Sequence, residues 1–260
     1  MKRPSEGLIA AQFAYWFAAL EQRHLANLRV AEVTRALRAL SSAYVERRRT
    51  VSRGGPFDGA GKRAAFALFY APLHFRVTAH VVQSVGAHDP PPSTILDVGC
   101  GTGAAGAAWA LAGGGTPVVR GIDRHAWALE EARWTYHTVG LRGSVRRGNL
   151  ERLPPLGPRS AAVAAYVLNE LPADARERLE RQLFSAAQRG AGVLIIEPIA
   201  RGIAPWWQET ARRAVKSGGR ADEWRFSADL PPLLATLDKA AGLNHRELTA
   251  RSIWLPGRSD

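Results

Sequence analysis

One segment near residue 100 constrains the fold of this 260-residue chain more than any other. It reads Ile-Leu-Asp-Val-Gly-Cys-Gly-Thr-Gly from Ile95 to Gly103, an apolar strand with an acid, followed by glycines at alternate positions. Gly99, Gly101 and Gly103 allow the chain to turn tightly and leave backbone N–H groups open to a ligand. The segment therefore predicts a strand, a binding turn and a helix in succession.

Two acids near this turn indicate which ligand it holds. A short apolar strand, Pro117 to Ile122, ends at Asp123, whose carboxylate can accept hydrogen bonds from both hydroxyls of a ribose. Gly99, Gly101 and Ala104 also fit the nicotinamide pattern G-x-G-x-x-G/A. However, Asp97 would repel a pyrophosphate, whereas S-adenosyl-L-methionine (SAM) has no phosphate and carries a cationic amino group. The sequence favours SAM, with an α/β domain whose glycine turn is empty as the alternative.

With both acids, this motif resembles the class I SAM-dependent methyltransferases. The resemblance implies S-adenosyl-L-methionine as cofactor and an α/β, Rossmann-like, seven-stranded, mostly parallel methyltransferase sheet whose last strand is antiparallel. After Pro92 the chain alternates strands with helices, as such a sheet requires. Strands are predicted near 94–98, 117–122, 143–147, 161–168, 191–196, 245–249 and 251–255, the last two as a hairpin. Helices are predicted near 104–112, 125–138, 173–189 and 228–241.

The prolines at 90–92 divide the chain into a helical N-terminal extension, residues 1–90, and a SAM-dependent methyltransferase domain, residues 91–260. The extension is predicted to hold an amphipathic helix over 8–20 capped by Ser5, a helix over 25–49 and a helix over 62–85. Pro72 should kink the third helix, with Tyr70 and His74 beside the bend. This bend either closes over the cofactor or packs in the core.

Two further segments follow predicted strands, where this fold carries its chemistry. Asn149 and Leu150 resemble the family positions that meet the adenine amino group and ring, although an asparagine in a loop can also bond its own turn. At the fourth strand, Asn169 is predicted to orient an acceptor or a cofactor edge, and Glu170 to take a proton or cap the next helix. These two are the candidate catalytic residues. The candidate cofactor-binding set is Asp97, Gly99, Cys100, Gly101, Gly103, Asp123, Arg124, Asn149, Leu150 and Tyr166.

A narrower resemblance extends from Tyr70 to Pro198. The segments Y-A-P-L-H-F, D-V-G-C-G-T-G-A-A-G-A-A-W-A, Y-V-L-N-E-L-P and I-I-E-P are together similar to the mitoribosomal small-subunit methyltransferase-like family and its bacterial relatives. Membership would imply association with the small ribosomal subunit or its rRNA. Mitochondrial members carry a cysteine cluster for an iron–sulfur centre, which this chain lacks, so no cluster-dependent function is expected.

Charge points to the same class of partner. The chain has a formal net charge of +12, and residues 1–90 hold 13 Lys or Arg against 6 Asp or Glu. Such a field attracts polyanions, so rRNA or the small ribosomal subunit is the expected partner. Arginines 47, 48, 49 and 53 could meet phosphates or simply complement a helix end. The alternative is that arginine-rich, alanine-rich composition alone produces the charge.

Loops after the fifth strand are predicted to overhang the site. There, tryptophans 206, 207 and 224 would stack on a flipped base while arginines 201, 220 and 225 hold phosphates, unless the tryptophans are buried. The single cysteine excludes a disulfide framework and a cysteine-ligated metal cluster. No metal site, no membrane span and a cytoplasmic location are expected.

Three functions remain open from the sequence. The first is methyl transfer to a polar acceptor, most simply rRNA or a component of the small ribosomal subunit. The second is a ribosome-assembly factor that binds SAM with little turnover, since no general base is obvious. The third is a small-molecule methyltransferase whose positive charge reflects composition.

Overall fold

The computed structural model describes residues 6–46, 57–114, 116–199 and 204–257. Four helical segments precede the sheet: α1 (Glu6–Leu25), α2 (Val30–Glu46), α3 (Ala60–Ala65) and α4 (Ala71–Ser84), with a π-helical turn, Phe66–Tyr70, joining α3 to α4. Ser5 and the arginines at 47, 48, 49, 53 and 201 lie outside the described residues.

The sheet and its helices then alternate. The strands are β1 (Thr94–Val98), β2 (Val118–Asp123), β3 (Gly143–Arg147), β4 (Ser160–Ala165), β5 (Gly192–Glu197), β6 (Arg220–Ser227) and β7 (Glu247–Leu255). The helices are α5 (Ala104–Ala112), α6 (Ala126–Thr138), α7 (Ala173–Gln188), α8 (Trp207–Lys216) and α9 (Pro232–Ala240), with a 3₁₀ turn at Leu168–Glu170. Within the described ranges, every helix falls short of the length or apolar character that crossing a membrane requires.

The strand order is β3-β2-β1-β4-β5-β7-β6. Strands β1 to β5 pair in parallel, while β7 runs antiparallel to both β5 and β6. The carboxyl ends of β1, β2, β3 and β4 therefore share one edge, which places the candidate site residues together. The predicted seven-stranded, mostly parallel sheet is confirmed.

The last part of the sheet differs from the prediction. A single strand, β7, replaces the predicted hairpin over 245–255, and its partner β6 forms in a segment predicted to be a loop. Trp224 and Phe226 alternate with polar neighbours as in a strand, but the pattern covers only two apolar residues and lies among glycines and arginines. The fourth strand also ends at Ala165, before the predicted 168, because Tyr166 turns the backbone to a left-handed φ of 61°.

Pro72 acts through the turn before it rather than through a sharp kink. Phe66–Tyr70 is π-helical, and the helix continues into α4 with Pro72 near its first turn. A proline has no N–H to bond the carbonyl four residues earlier, and a widened π turn accommodates the missing bond.

Two hydrophobic clusters cover the two faces of the sheet. One joins the N-terminal helices to α5, α6, α9 and parts of β1, β4, β5 and β7, and it includes residues as distant in sequence as Ile9 and Ala250. The other lies under α7 and α8. The N-terminal helices thus share one continuous core with the sheet.

The tryptophans predicted to overhang the site are packed instead. Trp207 is buried beneath the Arg251 guanidinium, which lies 4.4 Å from the ring centroid. Trp224 is half-buried in β6, where its Nε1 donates to Ser252 Oγ at 2.8 Å. Trp206 packs beside α7 with the Arg176 guanidinium 5.3 Å from its ring, and Arg220 is paired with Asp222. The stacking role predicted for Trp207 and Trp224 is therefore wrong, because both rings are used for packing.

Candidate active site

The glycine turn lies between β1 and α5 and needs its glycines for two reasons. Gly99, Gly101 and Gly103 have φ angles of 63°, 51° and 81°, a region that side chains disfavour. Neighbours also crowd the turn. A Cβ on Gly99 would lie 2.7 Å from the Val167 side chain, and one on Gly103 would lie 2.8 Å from the Tyr136 ring. The turn is consequently fixed in shape.

Asp97 is buried at the end of β1, and its Oδ2 holds the site together. It accepts hydrogen bonds from the Gly106 amide of α5 at 3.0 Å and from the Tyr136 hydroxyl of α6 at 2.9 Å. Burial raises the pKa of Asp97 to about 7, against the lowering effect of these two bonds. The carboxyl is therefore easily neutralised and is poised to become charged when a cation approaches it.

Tyr136 is one of the site residues that sequence reasoning missed. Its side chain is buried and occupies the space left by three glycines. A Cβ on Gly103 or Gly143 would come within 2.8 or 2.5 Å of the ring, and one on Gly121 would come within 3.1 Å of the hydroxyl. The local sequence of α6 does not indicate this packing, because the glycines that make room for the ring lie in other segments of the chain.

Asp123 lies half-buried at the end of β2 and faces the turn. Its Oδ2 accepts from the Gly101 amide and its Oδ1 from the His125 amide, both at 2.9 Å. Each carboxylate oxygen retains acceptor capacity for a hydroxyl group. The Gly148 amide bonds the Asp123 carbonyl at 3.0 Å, which brings exposed Asn149 and half-buried Leu150 to the same edge.

Cys100 and Arg124 contribute through the backbone. The Cys100 amide donates to the Ile122 carbonyl at 3.0 Å, while its thiol is buried toward Gly121. Burial raises the pKa of this thiol well above its ordinary value, so it stays protonated. Arg124 is exposed, and its carbonyl accepts from Arg147 Nε at 3.2 Å.

An aromatic cover crosses the turn from the N-terminal side. The Phe66 ring, in the π-helical turn, would lie 3.8 Å from a Cβ on Gly101. Phe57 contacts Phe66, His125 and Trp127 at centroid distances of 4.9, 4.7 and 4.9 Å. The extension thus supplies one wall of a cleft over the glycine turn. For the bend at Pro72, the sequence left open whether it closes over the cofactor or packs in the core.

The end of β4 carries the other wall. Tyr166 stacks on His74 of α4, with ring centroids 4.0 Å apart and planes 14° from parallel. Burial lowers the pKa of His74 to about 3, so the imidazole is neutral at physiological pH. A left-handed φ at a tyrosine is uncommon, and such conformations gather at functional sites.

Glu197 positions the turn that bears Asn169. From the end of β5, its buried Oε1 accepts from the Leu168 amide at 2.9 Å and the Asn169 amide at 3.3 Å. Burial raises the pKa of Glu197 to about 8, against these bonds. The Asn169 Oδ1 is buried and lacks a protein partner, whereas Glu170 lies exposed at the rim. Sequence reasoning assigned no role to Glu197, which is the acid of the I-I-E-P segment.

The residues present fit SAM. The N-cap of α5, Gly103, makes no side-chain hydrogen bond and the first turn carries no acidic side chain, although Asp97 accepts from the Gly106 amide of that turn. Asp123 offers acceptors suited to ribose hydroxyls, and Asp97 offers a carboxyl suited to an ammonium group. Across the described ranges, no group of three or more His, Cys, Asp or Glu side chains is arranged to hold a metal ion.

Comparison with known proteins decides between the possible ligands. Residues 95–190, which span the glycine turn, Asp123 and the end of β4, match a family model described as a methyltransferase domain. These residues form a class I SAM-dependent methyltransferase domain. SAM is accordingly the expected cofactor of this methyltransferase.

Solved structures support the fold. A Nostoc punctiforme protein proposed to be an O-methyltransferase superposes with a TM-score of 0.54 at 15% identity, covering 86% of this chain and 69% of its own. The mitomycin 7-O-methyltransferase MmcR also gives 0.54, at 18% identity, covering 96% of this chain and 75% of its own. No curated protein sequence matches the methyltransferase. The narrower resemblance to the mitoribosomal family is not supported by these matches.

Proposed function

We propose that the methyltransferase modifies a nitrogen or oxygen atom of a planar acceptor, and that this acceptor is a base of structured RNA, first of all ribosomal RNA. One observation carries the proposal: the His74–Tyr166 stack at the end of β4. Both residues are half-buried rather than fully enclosed, and aromatic side chains are the usual platform for unstacked bases.

The neutrality of His74 favours this arrangement. Bound SAM supplies an electrophilic methyl group on a positively charged sulfonium. An imidazolium in the same cleft would oppose that charge, whereas burial keeps the ring of His74 neutral. Asn169 Oδ1, buried without a protein partner, can accept a hydrogen bond from an acceptor N–H and orient its lone pair. The proton lost from the acceptor can leave at the exposed rim, where Glu170 lies.

The net charge of +12 favours RNA over a neutral metabolite, because basic proteins concentrate polyanions around them. A small aromatic molecule is the second candidate. The observation that favours it is the aromatic cover of Phe57 and Phe66, which narrows the approach to the glycine turn.

The deciding experiment incubates the methyltransferase with tritiated SAM and, separately, with small-subunit RNA, ribosomal proteins and a small-molecule extract. Label in RNA supports the proposal, and label in small molecules alone overturns it. SAM binding without label even under single-turnover conditions would instead identify an assembly factor.

Tyr166 tests the role of the stack. Tyr166→Ala should raise the acceptor KM at least about tenfold and leave SAM affinity within about twofold, while Tyr166→Phe, which keeps the ring, should behave like wild type. A loss of SAM affinity in Tyr166→Ala would return this residue to the cofactor-binding set in which the sequence places it.

A further inference from the structure

A groove runs along the outside of α7 and is separate from the cleft described above. It lies between this helix and residues 151–156 and has a volume of about 350 Å³. Its apolar floor comes from Leu153, Pro154, Pro155 and Leu156, and arginines 178, 181 and 189 stand along its helical side.

The shape of the groove is fixed by hydrogen bonds of its own. Gln182 donates to the carbonyls of Leu150 and Glu151 at 3.2 and 3.0 Å and accepts from the Leu153 amide at 2.7 Å. At the far end, Arg189 Nε donates to the Leu156 carbonyl at 3.2 Å. The loop is therefore held against α7 before any ligand arrives, so binding there would cost little ordering.

The charge of the groove is positive and partly uncompensated. Arg178 pairs with Asp174 at 2.9 Å, and Glu151 lies at the near end. Arg181 and Arg189 form no ion pair with any residue in the described part of the chain. Arg181 lies within α7 and Arg189 directly follows its last residue, so the eight positions between them correspond to about 12 Å along the helix axis. An extended anionic chain fits this spacing better than a single small anion.

The groove also begins beside the cofactor edge. Its loop follows directly from Asn149 and Leu150, and α7 starts shortly after Asn169 and Glu170. A polymer whose reacting unit lies at the end of β4 can thus continue along α7. A positively charged groove that follows the phosphate backbone is one of the means by which proteins hold single-stranded nucleic acid.

From these observations we infer that the groove between α7 and residues 151–156 binds the phosphodiester backbone of the single-stranded RNA next to the modified nucleotide. The inference rests on the proposed function. Arg181 and Arg189 contact phosphates, and the floor of leucines and prolines packs against the sugars or bases between them.

The test compares two double variants of the full-length protein. Arg181→Gln with Arg189→Gln removes the groove charges, whereas Arg212→Gln with Lys216→Gln removes two exposed charges from α8 as a matched control. In filter binding with small-subunit RNA, the groove variant should lower the slope of log K against log salt by about 1.4, or about 0.7 for each lost phosphate contact, and the control should leave it unchanged. SAM affinity should be unchanged in both.

Arg181→Glu alone provides a second variant that leaves the hydrogen bond of Arg189 intact, and it should weaken RNA binding at least as much as Arg181→Gln. Equal slopes in wild type and groove variant, or equal losses in groove and control variants, would overturn the inference. RNA that is still methylated in that case would leave the proposed function standing. Label confined to small molecules would instead reject the proposed function, while the slopes would still report on the groove.

Discussion

At the scale of single residues, the site depends on carboxyl groups in contrasting surroundings. Asp97 is buried and its pKa lies near 7, whereas Asp123 is half-buried with each oxygen already bonded to a backbone amide. We therefore expect Asp97 to interact with a ligand through charge and Asp123 to interact with it by accepting hydrogen bonds. This contrast makes the two carboxyls separable by substitution.

Asp97→Asn should stabilise the ligand-free protein at neutral pH. The pKa of the Asp97 carboxyl is about 7 in the folded state, against its ordinary value of 3.8 in the unfolded chain. Between these two pH values the folded protein keeps the proton and the unfolded chain has lost it. Wild-type stability should therefore fall as pH rises through this window. The amide does not titrate, so the Tm advantage of Asp97→Asn should grow from pH 4 to pH 7 and then level off, while SAM affinity falls. A constant Tm difference across that range would contradict the buried, neutral carboxyl.

Asp123→Ala should weaken SAM by about 1.5 to 3 kcal/mol in isothermal titration, because the hydrogen bonds to the ribose hydroxyls are lost. The exposed acid Glu209, on α8, offers the control: Glu209→Gln should bind SAM as wild type does. If titration with NADH released heat of binding and titration with SAM did not, the assignment of SAM as cofactor would be rejected.

At the scale of elements, the 3₁₀ turn after β4 shows how a short segment becomes a site. It lies between a left-handed Tyr166 and the buried Glu197, whose carboxyl binds two of its amides. Asn169 is positioned through its backbone amide, so its side chain can bind the acceptor. Glu197 is the positioning residue here, since it acts through the turn.

Asn169→Ala should leave SAM affinity within about tenfold and slow methyl transfer by about 10²-fold or more, as expected for a group that orients the acceptor. Single-turnover transfer of tritiated methyl measures the rate, and titration measures the affinity. If the variant loses SAM but keeps its rate per bound cofactor, Asn169 belongs to the cofactor shell.

The sequence predicts elements well where one local pattern determines them. The glycine turn, β1 and α5 follow from apolar runs next to glycines, and their bounds agree closely with the structure. Prediction from the sequence fails where contacts with residues distant in the chain determine the structure. β6 forms because β7 pairs with it along eight residues, and the role of Tyr136 depends on glycines from three separate segments. Likewise, no local pattern indicates that Glu197, at the end of β5, accepts hydrogen bonds from amides of the turn that follows β4.

At the scale of the whole molecule, the extension is fastened to the sheet by a buried ion pair. Glu131 of α6 is buried and accepts from Arg23 at 2.8 Å, with His24 Nε2 at 3.1 Å. Burial raises the pKa of Glu131, but the bonds from His24 and Arg23 outweigh it and hold the pKa below its usual value. Nearby, Trp16 Nε1 donates to Thr135 Oγ1 at 3.3 Å. These contacts hold α1 on α6 and so support the aromatic cover.

Glu131→Gln should lower the free energy of unfolding by about 1 to 3 kcal/mol, less than for a fully buried pair because Arg23 is 39% exposed. Urea denaturation measures this loss, and Glu130→Gln, at the exposed neighbouring position, should be close to neutral. The loss should shrink on acidification as Glu131 of the wild type takes up a proton. Equal stability of both variants would mean that the ion pair does not fasten α1.

The shared core has a consequence for synthesis of the chain. Ile9 near the start and Ala250 near the end belong to one cluster, and Arg38 of α2 donates to the Ala240 carbonyl of α9 at 2.9 Å. On a translating ribosome, the apolar faces of the first helices emerge long before α9 and β7 exist to cover them. Contacts between such distant residues form late and slowly. In nascent chains that end before residue 247, the N-terminal helices should therefore be accessible to chaperones and proteases. This accessibility should be lost only when β7 has been synthesised.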